Sequence, residues 1–109
     1  MENTTVNEGK NIAIISYLWI IGLIIAFVMN NDKKNAFAAF HIRQMVGLTL
    51  LSLAIGIVSR FVDLSFIGSL LGLFSFVLWI IGFIGAIQGE EKSVPLLGDM
   101  FQDWFKGIG

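Results

Sequence analysis

Phe66 to Gln88 reads FIGSLLGLFSFVLWIIGFIGAIQ, 23 consecutive residues without a charge. A helix over them is about 35 Å long, more than the roughly 30 Å hydrocarbon core of a bilayer. A run this long and apolar reads as a membrane-spanning helix, and it governs the reading of the residues on either side.

Immediately upstream, Met45 to Ser59 is also uncharged but covers only 15 residues, about 22 Å of helix, which is short for a crossing. Arg43 and Arg60 flank it. Their stems can bury along the helix while the guanidinium heads reach the interface, so the span extends over 42–61, about 30 Å. Re-entry is disfavoured because it exposes backbone that needs a protein-lined cavity. The second and third spans then form a tight antiparallel hairpin turning over 62–65, with Asp63 or Ser65 as N-cap of the third helix.

Further upstream, Ile12 to Met29 has no charge, and 11 of its 18 residues are Ile, Leu, Val or Phe. At about −0.3 to −0.6 kcal/mol each near a helix centre, these give a gross insertion energy of roughly −3 to −6 kcal/mol. The core is too long for a cleaved signal peptide, and three charges between Asn30 and Asn35 separate it from the Ala36-Phe37-Ala38 cleavage pattern.

The predicted fold is therefore all-α: three transmembrane helices plus a C-terminal amphipathic interfacial helix, in a single membrane domain 1–109. Its predicted segments are a polar tail 1–10, span one 11–29, a loop with helical entry 30–41, span two 42–61, a turn 62–65, span three 66–88 and a surface helix 94–108. Composition agrees. The 109 residues are 56% hydrophobic and 14% charged, with a mean hydropathy of +0.82, against about 25% charged residues in soluble domains.

The surface helix is read from Leu96, Leu97, Met100, Phe101, Trp104, Phe105 and Ile108, which fall at i, i+1, i+4, i+5, i+8, i+9 and i+12. Asp99, Gln102, Asp103 and Lys106 take the other face. The segment is too short to cross, and Trp104 suits the headgroup boundary, so Leu97, Phe101, Trp104 and Phe105 are expected at the membrane surface. Packing of the stripe on the protein itself is the competing expectation.

Three crossings put the tail and the second loop on one side, with Lys10 and Arg60. The first loop and C-terminal segment share the other, with Lys33, Lys34, Arg43, Lys92 and Lys106. The positive-inside rule then predicts a multi-pass protein of the cytoplasmic (inner) membrane with its N-terminus outside and its C-terminus in the cytoplasm.

A net charge of −1 gives no basic patch for a nucleic-acid partner. The absence of cysteine removes disulfides, thiolate ligands and thiol nucleophiles. A single histidine cannot build a multi-histidine metal site. No Asp, Glu, Lys, Arg or His lies deep in the spans, as a pump or charged-substrate pathway needs. No catalytic pair is present either. The expectation is a non-enzyme with no catalytic, cofactor-binding or metal residues.

The spans do carry small residues at helical spacing: Thr49, Ser52, Gly56 and Ser59 on the second, and Gly68, Gly72 and Ser75 on the third. Small side chains let membrane helices approach closely. Thr49, Ser52, Gly56, Gly68, Gly72 and Ser75 are therefore expected to form a packing seam within the hairpin, with a homodimer face as the alternative.

One motif stands apart. Phe40-His41-Ile42-Arg43-Gln44 opens the second span, and Gly89-Glu90-Glu91 with Pro95-Leu96 follows the third. On chemistry alone His41, Arg43 and Gln44 mark the membrane interface. Over about Tyr17 to Lys106 this pattern resembles bacterial small membrane proteins similar to the chloroplast inner-envelope import component of the Tic-twenty type, most specifically at His41, Arg43, Gln44, Gly89 and Pro95. The resemblance implies a compact helical membrane protein linked to protein import, although the chloroplast proteins are usually described with four spans. The expected function is a packing or accessory subunit of a membrane assembly, whose partners are the lipid bilayer and a membrane protein or a second copy. A lipid-sensing regulator acting through the C-terminal helix is the alternative.

Overall fold

A computed structural model describes residues 3–63 and 65–108; positions 1 and 2 of the predicted tail and position 64 of the predicted turn lie outside the described residues. It is all-helical, with no strand among the described residues: α1 Asn3–Ser16, α2 Trp19–Lys33, α3 Ala36–Phe61, α4 Ser65–Gln88 and α5 Gly98–Trp104. Two helices, α3 and α4, are long and apolar enough to cross a membrane.

The predicted first span is not one helix. Its residues divide between α1 and α2, which turn back on each other at Tyr17 and Leu18. The polar tail, expected to be loose, forms the start of α1 from Asn3. At the break, the amides of Tyr17 and Leu18 donate to the carbonyls of Ile14 and Ile15, at 3.1 and 3.0 Å, tightening the last turn. Trp19 takes φ +67°, an uncommon conformation for a bulky residue that persists only where surrounding contacts impose it. Gly22 permits the tight return, since a Cβ there would lie 2.4 Å from the Ile15 carbonyl oxygen.

Two asparagines close the other end of the α1–α2 hairpin. Asn35 donates through Nδ2 to the Thr5 carbonyl at 2.8 Å, and its Oδ1 accepts from the Ala38 amide at 3.0 Å, so it caps α3 while holding the start of α1. Asn30 accepts from the Asn35 amide and donates to its carbonyl. Thr5, at the start of α1, therefore sits beside the start of α3. Val6, Asn7 and Lys10 share a polar cleft with Gln88, Gly89, Glu90 and Glu91 at the end of α4. With Ile108 held by Arg43 near the start of α3, the first and last described stretches thus lie at one end of the molecule, whereas the three-span reading put the two ends on opposite sides.

The helix lengths explain the shape. α1 and α2, with 14 and 15 residues, reach only about 22 Å, while α3 and α4, with 26 and 24 residues, reach about 39 and 36 Å. The hairpin covers α3 and α4 over one half of their length, and that half holds the core: Ile12, Ala13, Tyr17, Ala26, Phe37, Ile42, Leu78 and Phe101 are all buried. Beyond the hairpin tip, α3 and α4 continue alone, and Leu50, Ile57, Val58, Phe66, Leu70 and Leu73 are exposed. The molecule extends 47 Å by 22 Å by 22 Å.

At the far turn, the Asp63 carboxylate accepts from the amide and hydroxyl of Ser65, which begins α4. Of the two N-cap candidates, Asp63 is the one whose side chain accepts from the first backbone amide of α4. These hydrogen bonds, the hydroxyl's first, hold its carboxyl below the usual carboxylate range.

Candidate functional site

The Phe-His-Ile-Arg-Gln motif lies in the second turn of α3, and there the chain brings together a buried polar network. Gln44 Nε2 donates to Tyr17 Oη at 2.8 Å, and the Tyr17 hydroxyl pairs with His41 Nδ1 at 2.6 Å. Nε2 of His41 lies 2.8 Å from the Glu90 carbonyl oxygen. Since that oxygen can only accept, the imidazole carries hydrogen on Nε2 and the Tyr17 O–H donates to Nδ1. Gln44 completes the set: its Oε1 accepts from the Val94 amide at 2.9 Å and its Nε2 reaches the Lys92 carbonyl at 3.2 Å. Tyr17, His41 and Gln44 are fully buried.

Every hydrogen-bonding atom of these three side chains has a partner, as a dry interior requires. The network is a clamp on the backbone of 90–94. Phe37 and Phe40 hold the imidazole edge-on, with ring centroids 4.9 and 5.0 Å from it. Arg43, read as an interfacial anchor, donates through Nε to the Ile108 carbonyl. Gln102 donates to the Phe40 carbonyl.

Gly89 has a definite task. It takes φ +75°, while its amide and that of Glu90 bond back to the Ala86 and Gly85 carbonyls. This is a glycine-terminated helix end, in which the left-handed residue turns the chain out of α4. The turn aims the Glu90 carbonyl at His41. Pro95 is exposed and its carbonyl accepts from the Leu97 amide. Pro95 does not begin a helix; it opens a turn over 95–97, and α5 starts only at Gly98.

The C-terminal stripe divides in two. Phe101 is buried against Gly47 of α3, where a Cβ would fall 2.2 Å from the Phe101 ring. Leu97 and Phe105 pack around the same core. Leu96 and Trp104 remain exposed at 83% and 62%. Of the four residues expected at the surface, only Trp104 keeps an outward position. Leu97, Phe101 and Phe105 bind the segment to the protein, because Gly47 leaves a socket for an aromatic ring.

The expected small-residue seam is open. A Cβ on Gly56 or Gly72 would meet nothing within 4 Å, and Gly68 is half-buried. Thr49, Ser52, Gly72 and Ser75 instead line a groove of about 820 Å³ below the hairpin tip, walled by Trp19, Leu48, Phe76 and Trp79. The glycine that does permit close approach is Gly82, where a Cβ would fall 2.7 Å from Tyr17 Oη and 2.9 Å from Gln44 Nε2.

Sequence reasoning missed Tyr17 and Trp79. Trp79 Nε1 donates to the Tyr17 carbonyl at 2.9 Å, joining α4 to the hairpin tip. The available signal was that Tyr17 is the one tyrosine of the chain, a hydroxyl inside an apolar run that needs a buried partner.

Comparison with known proteins agrees with the membrane character and corrects the family. The chain is 30% identical over 97 residues to UPF0132 membrane protein MJ1527 of Methanocaldococcus jannaschii, covering 85% of this chain and 67% of that one. It is 28% identical over 110 residues to UPF0132 membrane protein MJ1443 of the same organism, covering 95% and 96%. No solved structure matches. The resemblance to the Tic-twenty import component is overturned: the matching family model, described as the magnetosome magnetite crystal formation protein family, spans residues 8–101 and takes in His41, Arg43, Gln44, Gly89 and Pro95. On that match the chain is a small membrane protein belonging to the MamF/MmsF family.

Proposed function

We propose that this protein is a non-enzymatic packing subunit of a membrane assembly, crossing the cytoplasmic membrane twice through α3 and α4 and inserting the α1–α2 hairpin to half depth. The carrying observation is the division of the molecule: a clamped bundle at one end and, at the other, two apolar helices whose outer faces are exposed. Exposed Leu50, Ile57, Leu70 and Leu73 offer those faces to lipid and to a neighbouring membrane helix. The crystal-forming role in the family description bears on this chain as the membrane-embedded part of such an assembly. Affinity purification in mild detergent is expected to bring down a membrane partner or a second copy; a lone monomer throughout would sink the packing role.

Both termini belong in the cytoplasm on this reading. Lys10, Lys33, Lys34, Arg43, Lys92 and Lys106 gather at the end carrying the termini, and Arg60 alone lies at the other, a distribution that favours the basic end inside. The native chain has no cysteine, so single cysteines report position cleanly. Thr5→Cys and Lys106→Cys should both resist a membrane-impermeant thiol reagent in intact cells, while Asp63→Cys should react. Labelling of Thr5→Cys from outside would restore the three-span topology.

A second reading is favoured by the outward positions of Leu96, Met100 and Trp104, at i, i+4 and i+8: a lipid-contacting role for the C-terminal segment. Because Phe101 sits in the core, deleting the segment would damage the fold. The triple change Leu96→Ser, Met100→Ser, Trp104→Ser is the sharper test. It should leave thermal stability in detergent within about 1 kcal/mol, as surface changes do, and weaken any lipid-dependent response. An unchanged response removes this reading.

A further inference from the structure

Ser75, which lines the groove below the hairpin tip, carries the one buried side-chain polar atom without a hydrogen-bond partner among the described residues, its Oγ. Ser75 is only 9% exposed. A serine within a helix ordinarily bonds back to the preceding turn, as Ser59 and Ser69 do here, each at 2.7 Å from the carbonyl four residues earlier. Ser75 makes no such bond and lines the groove. An unpaired buried hydroxyl costs free energy that a ligand oxygen would recover.

The rest of the groove defines the ligand's shape. Its wall is strongly aromatic: Phe76 and Trp79 lie nearly parallel, with centroids 6.1 Å apart and planes 15° apart, and Trp19 stands at the tip. Trp79 Nε1 is already committed to the Tyr17 carbonyl, so its ring offers a face and no donor. Below, Ser52, Leu53 and Gly72 line a continuation along α3 and α4, with open space over Gly72. No charged residue lines it.

We propose that this groove binds an isoprenoid quinone: a planar ring against Phe76 and Trp79, a ring carbonyl accepting from the Ser75 hydroxyl, and the apolar tail following α3 and α4 into the bilayer. Aromatic rings favour a flat partner, and a few placed polar groups in an apolar cleft fix its orientation. A plain acyl chain would leave Ser75 unpaired. The inference rests on the membrane reading, since the groove lies along the exposed half of the crossing helices. The cysteine-labelling experiment tests that reading separately.

The test uses the full chain in phospholipid nanodiscs with decylubiquinone as probe, following quenching of tryptophan fluorescence. Saturable quenching is expected. Ser75→Ala should weaken it about five- to tenfold, the loss of one hydrogen bond, with the melting temperature retained. Gly72→Phe, which adds a ring where there is open space, should abolish it while the protein remains folded. Leu73→Ala, on the outer face, should bind as the wild type does. Quenching that rises linearly without saturation, or is the same in Ser75→Ala and Gly72→Phe as in the wild type, overturns the proposal. So does displacement of the probe by decanol at equal concentration, which would make the groove a general acyl-chain site. Disulfide formation between Ser52→Cys copies that saturating probe does not inhibit would assign the groove to a second copy instead and also overturn it.

Discussion

Gly82→Leu is expected to be among the most damaging single substitutions in this protein, and Gly72→Leu, ten residues earlier on the same helix, among the mildest. At position 82 a Cβ would lie 2.7 Å from Tyr17 Oη and 2.9 Å from both Tyr17 Cε1 and Gln44 Nε2. Both neighbours are fully buried, so neither can swing aside. Overpacking costs about 1–3 kcal/mol, and displacing Tyr17 from His41 adds about 1–3 kcal/mol for each buried group left unpaired. Position 72 opens onto the groove and has nothing within 4 Å. Thermal unfolding in detergent, followed by circular dichroism, should show a large loss for Gly82→Leu and a small change for Gly72→Leu. Equal losses would mean that α3 and α4 pack along the small-residue seam after all.

Gln44→Leu should come next in severity. Its side chain serves the Tyr17 hydroxyl, the Lys92 carbonyl and the Val94 amide, joining the hairpin tip, α3 and the strap after α4. Leucine conserves bulk but strands buried polar groups, among them the Val94 amide, at about 1–3 kcal/mol each. The consequence should be local as well as global, because the strap loses its hold on the bundle. Trypsin is expected to cut after Lys92 in Gln44→Leu much faster than in the wild type. Arg43→Leu is the control: its hydrogen bond reaches only the Ile108 carbonyl at the chain end, so Lys92 should stay protected. Equal protection of Lys92 in both variants would remove the clamp from Gln44.

The same two substitutions mark where sequence reasoning works. The two long helices were legible because their evidence is additive: absence of charge runs for 23 residues from Phe66 and for 15 from Met45, the latter extended by the stems of Arg43 and Arg60, and no tertiary contact changes that sum. The α5 stripe was legible as a pattern and misread as a place, since periodicity identifies an apolar face without saying what covers it. Gly47 decided that, by leaving room for Phe101. Among the small residues, Gly72 and Gly82 look alike in the chain, and only the course of the Tyr17 side chain tells them apart.

What the sequence alone determined is the membrane character and the two long apolar helices: 56% of the residues are hydrophobic and 14% charged, and α3 and α4 are long and apolar enough to cross a bilayer. What the tertiary structure decided is the fate of the first apolar stretch. Residues 12–29 are long and uncharged enough for a span, and their one glycine, Gly22, comes only after the turn at Tyr17 to Trp19. The break is held by distant partners, the Trp79 indole on the Tyr17 carbonyl and His41 with Gln44 on its hydroxyl. Those contacts lie 62, 24 and 27 residues away in sequence. They turn one predicted crossing into a half-length hairpin and bring both termini to the same end.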